Sequence, residues 1–233
     1  MKTLLATLVF GLVTATGFAQ TTSPDQTTQT TEVTMAELQL VPFRMPSLTD
    51  VGGSPFLHQD YKNGSVQFNG DRFVPNVPVR FNTFNNIIMV QRDGDELKLE
   101  SFDMVTYEEA GSNGNMKKYM FRQGYPEIDN RPTTAVYQVL AYGPKLHLVK
   151  FITQKVEDAA TLGDYSRREI VTTQQLYTYV PGGEMKKIKT GKQGIADAVP
   201  ALAANIDEIV KSKSLNLNSE SDMAELVDAL NKL

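Results

Sequence analysis

Between residues 65 and 190 the chain alternates apolar and polar positions. In NVPVRFN (76–82), Val77, Val79 and Phe81 alternate with Pro78, Arg80 and Asn82, the two-residue period of a strand with one buried face. Asn85-Asn86 turns the chain into IIMVQ, and Asp93-Gly94 turns it again into ELKLES, where Leu97 and Leu99 alternate with charges. Asn-Gly and Asp-Gly pairs supply the positive φ that tight hairpin turns need. By the same reasoning Asn63-Gly64 and Asn69-Gly70 bracket a short strand, SVQF, with Val66 and Phe68 on one face. Pro75 and Pro78 lack an amide donor, which places their segment at a sheet edge or at the beginning of a strand. Ser101–Tyr107 reads as a further strand. After the loop Glu108–Asn115 come KKYMFRQGY and a hairpin, TTAVYQVLAY and KLHLVKFITQ, around Gly143-Pro144. A polar loop around Glu157–Asp164 leads to SRREIVTTQQLYTYV, and Pro181-Gly182-Gly183 returns the chain through EMKKIKT. This predicts nine or ten strands with no helix between them. Antiparallel pairing follows, because parallel neighbours need long crossovers.

The last forty residues change period. Ile195, Val199, Leu202, Ile206 and Ile209 step by four, three, four and three, which is one face of a helix. Pro200 removes a donor and clashes with the preceding turn, so a short helix should end near Val199 and a second begin with Pro200 in its first turn. A final helix is expected from Ser219–Asp222, with Met223, Leu226, Val227 and Leu230 as its apolar stripe. The fold class is mainly β: an antiparallel meander forming a curved sheet or half-barrel, with two to three C-terminal α-helices packed on it.

The N-terminus qualifies where such a domain would work. Lys2, the apolar run Leu4–Val13, and the small residues Gly17 and Ala19 make a secretory leader cleaved after Ala19. That run is shorter than the about 20 residues a membrane-crossing helix needs. Gln20–Thr34 is almost devoid of apolar residues and reads as a disordered linker. The expected organisation is therefore 1–19 leader, 20–34 linker, 35–190 antiparallel β domain and 191–233 helical segment. The chain has no cysteine, which excludes disulfides, thiolate metal sites and a lipid-modified N-terminal cysteine. Export without cysteine suggests a bacterial envelope, periplasmic or extracellular. Twenty-three basic and 27 acidic side chains, 22 and 27 once Lys2 is removed, disfavour nucleic-acid and anionic-membrane partners.

Candidate chemistry is sparse. His58 and Asp60 fit a general base with its orienting carboxylate, but Gly53-Ser54-Pro55 is no nucleophile elbow, and turn chemistry at the surface is the simpler reading. His147, between Leu146 and Leu148, reads as a solvent-facing or partly satisfied strand residue. Asp93-Gly94-Asp95-Glu96 has the oxygen density of a calcium loop but fits a hairpin turn better. No histidine pair, phosphate-binding loop or dinucleotide fingerprint occurs, so no metal and no cofactor are expected. Two groups remain. Tyr137, Tyr142, Tyr177 and Tyr179 could stack on a ligand or bury beneath the helices, and burial accords better with the helices' need for a docking surface. Lys186, Lys187, Lys189 and Lys192 could hold an acidic partner, although lysines on the wet face of an edge strand also block aggregation.

The stretches GSPF, GSV, NVPVRFN, YQVLAYGPKLHLVK and LYTYVPGGEMKKIK, followed by capped helices, resemble an uncharacterised family of exported β-rich proteins of Gram-negative bacteria. The resemblance spans about Gly52 to Leu233 and implies the fold without any catalytic residue. The expected function is a non-catalytic exported envelope protein that binds a small ligand or a protein partner. A hydrolase with a glycosidase-like carboxylate pair and a structural or adhesion component are the alternatives.

Overall fold

The computed structural model of the chain describes residues 30–111, 114–158 and 168–233. The expected leader, residues 20–29 of the Thr/Gln-rich stretch, 112–113 and 159–167 lie outside the described residues. Among the described residues, thirteen strands form one open, mixed sheet. Three are short and N-terminal: β1 (Thr31–Glu32), β2 (Leu40–Pro42) and β3 (Val51–Gly52). Then come β4 (Lys62–Phe68), β5 (Arg72–Asn82), β6 (Ile87–Arg92), β7 (Asp95–Leu99) and β8 (Met104–Ala110). The series ends with β9 (Met116–Arg122), β10 (Tyr137–Ala141), β11 (His147–Asp158), β12 (Arg168–Tyr179) and β13 (Met185–Ile188). Across the sheet the order is β13-β12-β11-β10-β9-β8-β4-β5-β6-β7-β2. Every neighbour in that order is antiparallel; β1 on β5 and β3 on β12 pair in parallel over two residues each.

Two turn expectations hold. Asn69-Gly70 and Asp93-Gly94 have positive φ at both residues and join β4 to β5 and β6 to β7. Asn63-Gly64 does not turn the chain: both residues lie inside β4, opposite Pro78 and Val77. Gly64 is there because nothing larger fits. A Cβ at this position would lie 2.5 Å from the Thr106 carbonyl oxygen and 2.9 Å from a Val79 methyl. One residue on, the register shifts between Gly64 and Val66, and Asn76 takes a positive φ. The bulge sits beside Pro75, whose missing amide a regular ladder would not tolerate. Ordered pairing also begins earlier than Met35. The Thr31 and Val33 amides donate to Asp71 and Phe73 carbonyls at 2.6 and 2.9 Å, a backbone interaction that leaves no apolar signature.

The sheet rolls up. Phe81 of β5 and Phe121 of β9 are separated by β4 and β8, so a flat sheet would hold them about 14 Å apart. Their ring centroids are 4.8 Å apart. Val66, Val77, Val79, Ile88, Val105 and Ile152 share this inner cluster and are essentially inaccessible. Across the opening runs the GGSPF stretch as a strap. Its start is β3, paired with Arg168 and Glu169 of β12, and Phe56 bridges to Asn82 at the end of β5. Asn86, in the β5–β6 turn, ties to the segment before β10 by both ends of its amide, to the Val136 carbonyl and N–H at 2.9 and 2.8 Å.

The helices are α1 (Lys192–Ala198), α2 (Ala203–Lys213) and α3 (Glu220–Asn231), with a 3-10 turn at Pro200–Leu202. All four predicted stripe residues of α3 are fully buried. They pack with Ile195 and Ile206 on Leu148, Leu176 and Ile188, residues of the sheet face that also lines the roll. Leu148 and Val149 point to opposite faces. Val149 belongs to a separate cluster with Tyr125, Tyr137, Phe151, Tyr177 and Met185. That outer face is covered by the segment 123–135, not by the helices.

Candidate ligand-binding site

The four tyrosines lie on this outer face, as the pairing dictates. Tyr177 is opposite Val149, Tyr179 is opposite His147, and Tyr137 is opposite Arg122. The structure divides them. Tyr137 and Tyr177 are buried, at 1% and 0% exposure, and serve the core, although the layer above them is the 123–135 segment rather than the helical tail. Tyr142, in the β10–β11 turn, is 45% exposed. With Tyr179 it lines a cavity of about 580 Å3 completed by Arg122, His147, Gly143, Pro144 and Pro181. That volume is within the range of small-molecule pockets.

His147 forms the floor. At 3% exposure it does not face solvent; its Nδ1 shares a hydrogen bond of 3.2 Å with the Tyr125 hydroxyl. Its ring lies 4.3 Å from that of Tyr142 and 5.3 Å from that of Tyr179. Burial, reinforced by the Arg122 charge, lowers its pKa to about 4, so the imidazole is neutral at neutral pH. Arg122 supplies the charge. Its Nη1 donates to the Tyr142 hydroxyl at 3.1 Å, and its guanidinium lies over the Tyr142 and Tyr125 rings at 5.2 and 5.6 Å. Its Nε is buried without a partner. Among the described residues no carboxylate pairs with Arg122. The pocket therefore presents a held tyrosine ring beside a cation whose counter-charge is missing.

The pocket's lip is fastened from below. Asn231, the last residue of α3, accepts from the Lys145 and Leu146 amides at 3.0 and 2.9 Å and donates to the Leu146 carbonyl at 2.8 Å. Its side chain lies so close to Gly143 that a Cβ there would meet Asn231 Cγ at 2.3 Å. The helical segment thus positions the Tyr142 turn although it covers the other sheet face.

Lys186, Lys187 and Lys189 line one cavity of about 300 Å3 between β13 and α1, and Lys192 is outside its lining. Lys186 and Lys187 point to opposite faces of β13; Lys186 approaches Glu184 at 3.7 Å and Lys187 approaches Asp129 at 3.5 Å. Lys192 pairs with Asp207 at 2.5 Å. Asp129 also accepts from the Tyr177 hydroxyl at 2.7 Å, while Arg131 donates to the same hydroxyl. Burial, then the bond to Asp129, pushes the Tyr177 pKa up to about 12. His58 and Asp60 do not form a pair either. His58 Nδ1 meets Glu109 at 2.8 Å, with Lys62 on the other carboxylate oxygen at 2.7 Å. The imidazole sits edge-on to Tyr119 and Tyr107. It is a half-buried anchor for the strap, not surface turn chemistry, and burial lowers its pKa against the opposing pull of Glu109. Asp93-Gly94 is a turn, and the neighbouring Glu96 is engaged by Arg80 at 2.7 Å and Tyr61 at 3.1 Å. Among the described residues no group of three His, Asp or Glu is placed to hold a metal ion, and no helix is long and apolar enough to cross a membrane.

Sequence reasoning grouped Tyr142 with Tyr179, weighed His147 apart from them and passed over Arg122 and Tyr125. No family model, curated protein or solved structure matches the chain.

Proposed function

We propose that the protein is a non-catalytic binding protein of the bacterial cell envelope, and that its pocket at Tyr142 holds a small ring-bearing molecule carrying a carboxylate or similar anion. One observation carries this reading: Arg122 is held against two tyrosine rings and, among the described residues, pairs with no carboxylate. A guanidinium in that state recognises a planar anion through paired N–H donors. The Tyr142 ring offers a flat surface for the body of the ligand. The lining is aromatic and cationic, with no carboxylate to repel an anion. Export rests on the leader-like N-terminus and on the resemblance to exported proteins of Gram-negative bacteria.

The test is calorimetric titration with matched acids and neutral counterparts: glucuronate against glucose, and phenylacetate against 2-phenylethanol. The acids should bind at least tenfold more tightly. Arg122→Gln should erase that preference, and Tyr142→Ala should weaken both members of each pair. Equal affinity for acid and neutral partner, or binding to neither, refutes the reading. Turnover of aryl glycosides that dies with a single carboxylate substitution would replace it with a hydrolase.

A further inference from the structure

The sheet is open, so it has two margins, and they are guarded differently. At one margin β2 is three residues long and ends in Pro42, which has no amide to offer a further strand. At the other lies β13, Met185–Ile188, which contains no proline. We infer that the free edge of β13 is a docking site for an extended acidic segment of another protein, which adds to the sheet as its next strand. The inference does not depend on the Tyr142 pocket.

The register shows which backbone groups are free. The Val180 amide donates to the Glu184 carbonyl at 3.3 Å, and bonded pairs recur at every second residue of an antiparallel ladder. Thr178–Lys186 and Leu176–Ile188 are therefore the pairs whose backbone groups join β12 to β13. Gln175 agrees with this, its Nε2 donating to the Leu176 and Ile188 carbonyls at 3.0 and 2.8 Å. Met185 and Lys187 turn their N–H and C=O groups the other way, and among the described residues no strand lies there. Two donors and two acceptors thus stand in strand geometry, which is what β-strand addition requires.

Charge names the occupant. Lys186 projects from the helix face of the strand and Lys187 from the outer face; with Lys189, just past the strand, they line the cavity of about 300 Å3 beside this edge. Lys186 and Lys187 have only long, exposed pairings, with Glu184 at 3.7 Å and Asp129 at 3.5 Å, and such pairs hold little energy. Asp197, the single carboxylate of the lining, accepts from Gln193 at 2.6 Å. Lysines on an edge deter a second copy of the chain, because two β13 strands side by side would set lysine against lysine. The same charges attract a strand with carboxylates at alternate positions, two of which reach Lys187 and Lys189. Proline at the other margin refuses every strand; lysine at this one refuses by charge alone.

The experiment uses the full mature chain and three capped hexapeptides: alternating glutamate and valine, alternating lysine and valine, and the glutamate peptide with its backbone amides methylated. In calorimetry the glutamate peptide should bind at least tenfold more tightly than the lysine peptide at low salt, and the difference should shrink at high salt. Methylation should abolish binding, because the charges remain while the donors are lost. In hydrogen exchange followed by NMR, the glutamate peptide should slow the Met185 and Lys187 amides at least tenfold, and those of Lys186 and Ile188, already bonded to β12, much less. Lys187→Gln combined with Lys189→Gln should weaken binding at least tenfold, with Tm changed by no more than about 2 °C, whereas Tyr142→Ala should leave it unchanged. No binding of the glutamate peptide, equal binding of the lysine or the methylated peptide, or unaltered exchange at Met185 and Lys187 overturns the assignment. So does association of the chain with itself through this edge in sedimentation. Binding to anionic lipid vesicles in place of the glutamate peptide would assign the lysines to a membrane surface and overturn it as well.

Discussion

Replacing Asn231 by alanine should unfasten the turn that carries Tyr142. Three hydrogen bonds disappear, to the Lys145 amide and to the amide and carbonyl of Leu146. Lys145 is half-exposed, so water can take over its amide. Leu146 is at 0% exposure and lies before the first residue of β11, so its two backbone groups are left buried without partners. At about 1–3 kcal/mol for each orphaned group, with some relief from relaxation, the expected loss is roughly 2–4 kcal/mol. For a domain of this size that is a fall in Tm of roughly 4–16 °C. Urea unfolding followed by far-UV circular dichroism should show the midpoint falling at constant m-value. Gly143→Ala should produce a similar loss by a different route, since its new methyl meets the Asn231 side chain. In an Asn231→Gly background that methyl finds space, so the cycle should show a coupling of roughly 1–3 kcal/mol. A Tm change under about 1 °C for Asn231→Ala, or additive effects in the cycle, would refute the fastening.

Four other outcomes follow from the structure. Gly64→Ala should destabilise by roughly 1–3 kcal/mol or more, because its methyl has only the Thr106 carbonyl and Val79 to overlap; thermal melts check this. Leu226→Ala, in the fully buried stripe of α3, should cost about 2–5 kcal/mol and is checked the same way. His147 is buried neutral with its pKa lowered to about 4, whereas the unfolded chain binds a proton near pH 6.5. Stability should therefore fall as pH drops from about 6.5 to about 4, by up to roughly 3 kcal/mol, and His147→Phe should flatten that slope in urea titrations. His58, also lowered, adds to the same loss, so His58→Gln combined with His147→Phe should flatten it further.

The parts of the fold legible in the sequence were those in which one residue sees one environment. The α3 stripe was read residue by residue because a helix face repeats locally, and Pro200 marked the break because its missing donor acts within one turn. Asn69-Gly70 and Asp93-Gly94 were legible for the same reason. Asn63-Gly64 was not: the letters are those of a turn, but the glycine answers to the Thr106 carbonyl on a neighbouring strand, which local chemistry does not reveal. The strap was hidden because its pairing is backbone to backbone, between residues far apart in the chain. The histidines misled similarly. His58 looked like turn decoration, and its partner Glu109 lies on β8. The Tyr142 pocket was half visible: the tyrosines stood out by type, but Arg122 gains meaning only when β9 is laid beside β10.

The strap also sets an order of events. The Arg168 side chain donates to the Thr49 carbonyl across 119 residues of chain, and β3 has no partner until β12 exists. A chain released N-terminus first must therefore hold its early strands open-ended while most of the sheet is still unmade. Such distant pairing slows folding and leaves strand edges exposed in the interval. A factor that shields nascent strands would find its moment of use here, before the ribbon's two remote margins are buckled together.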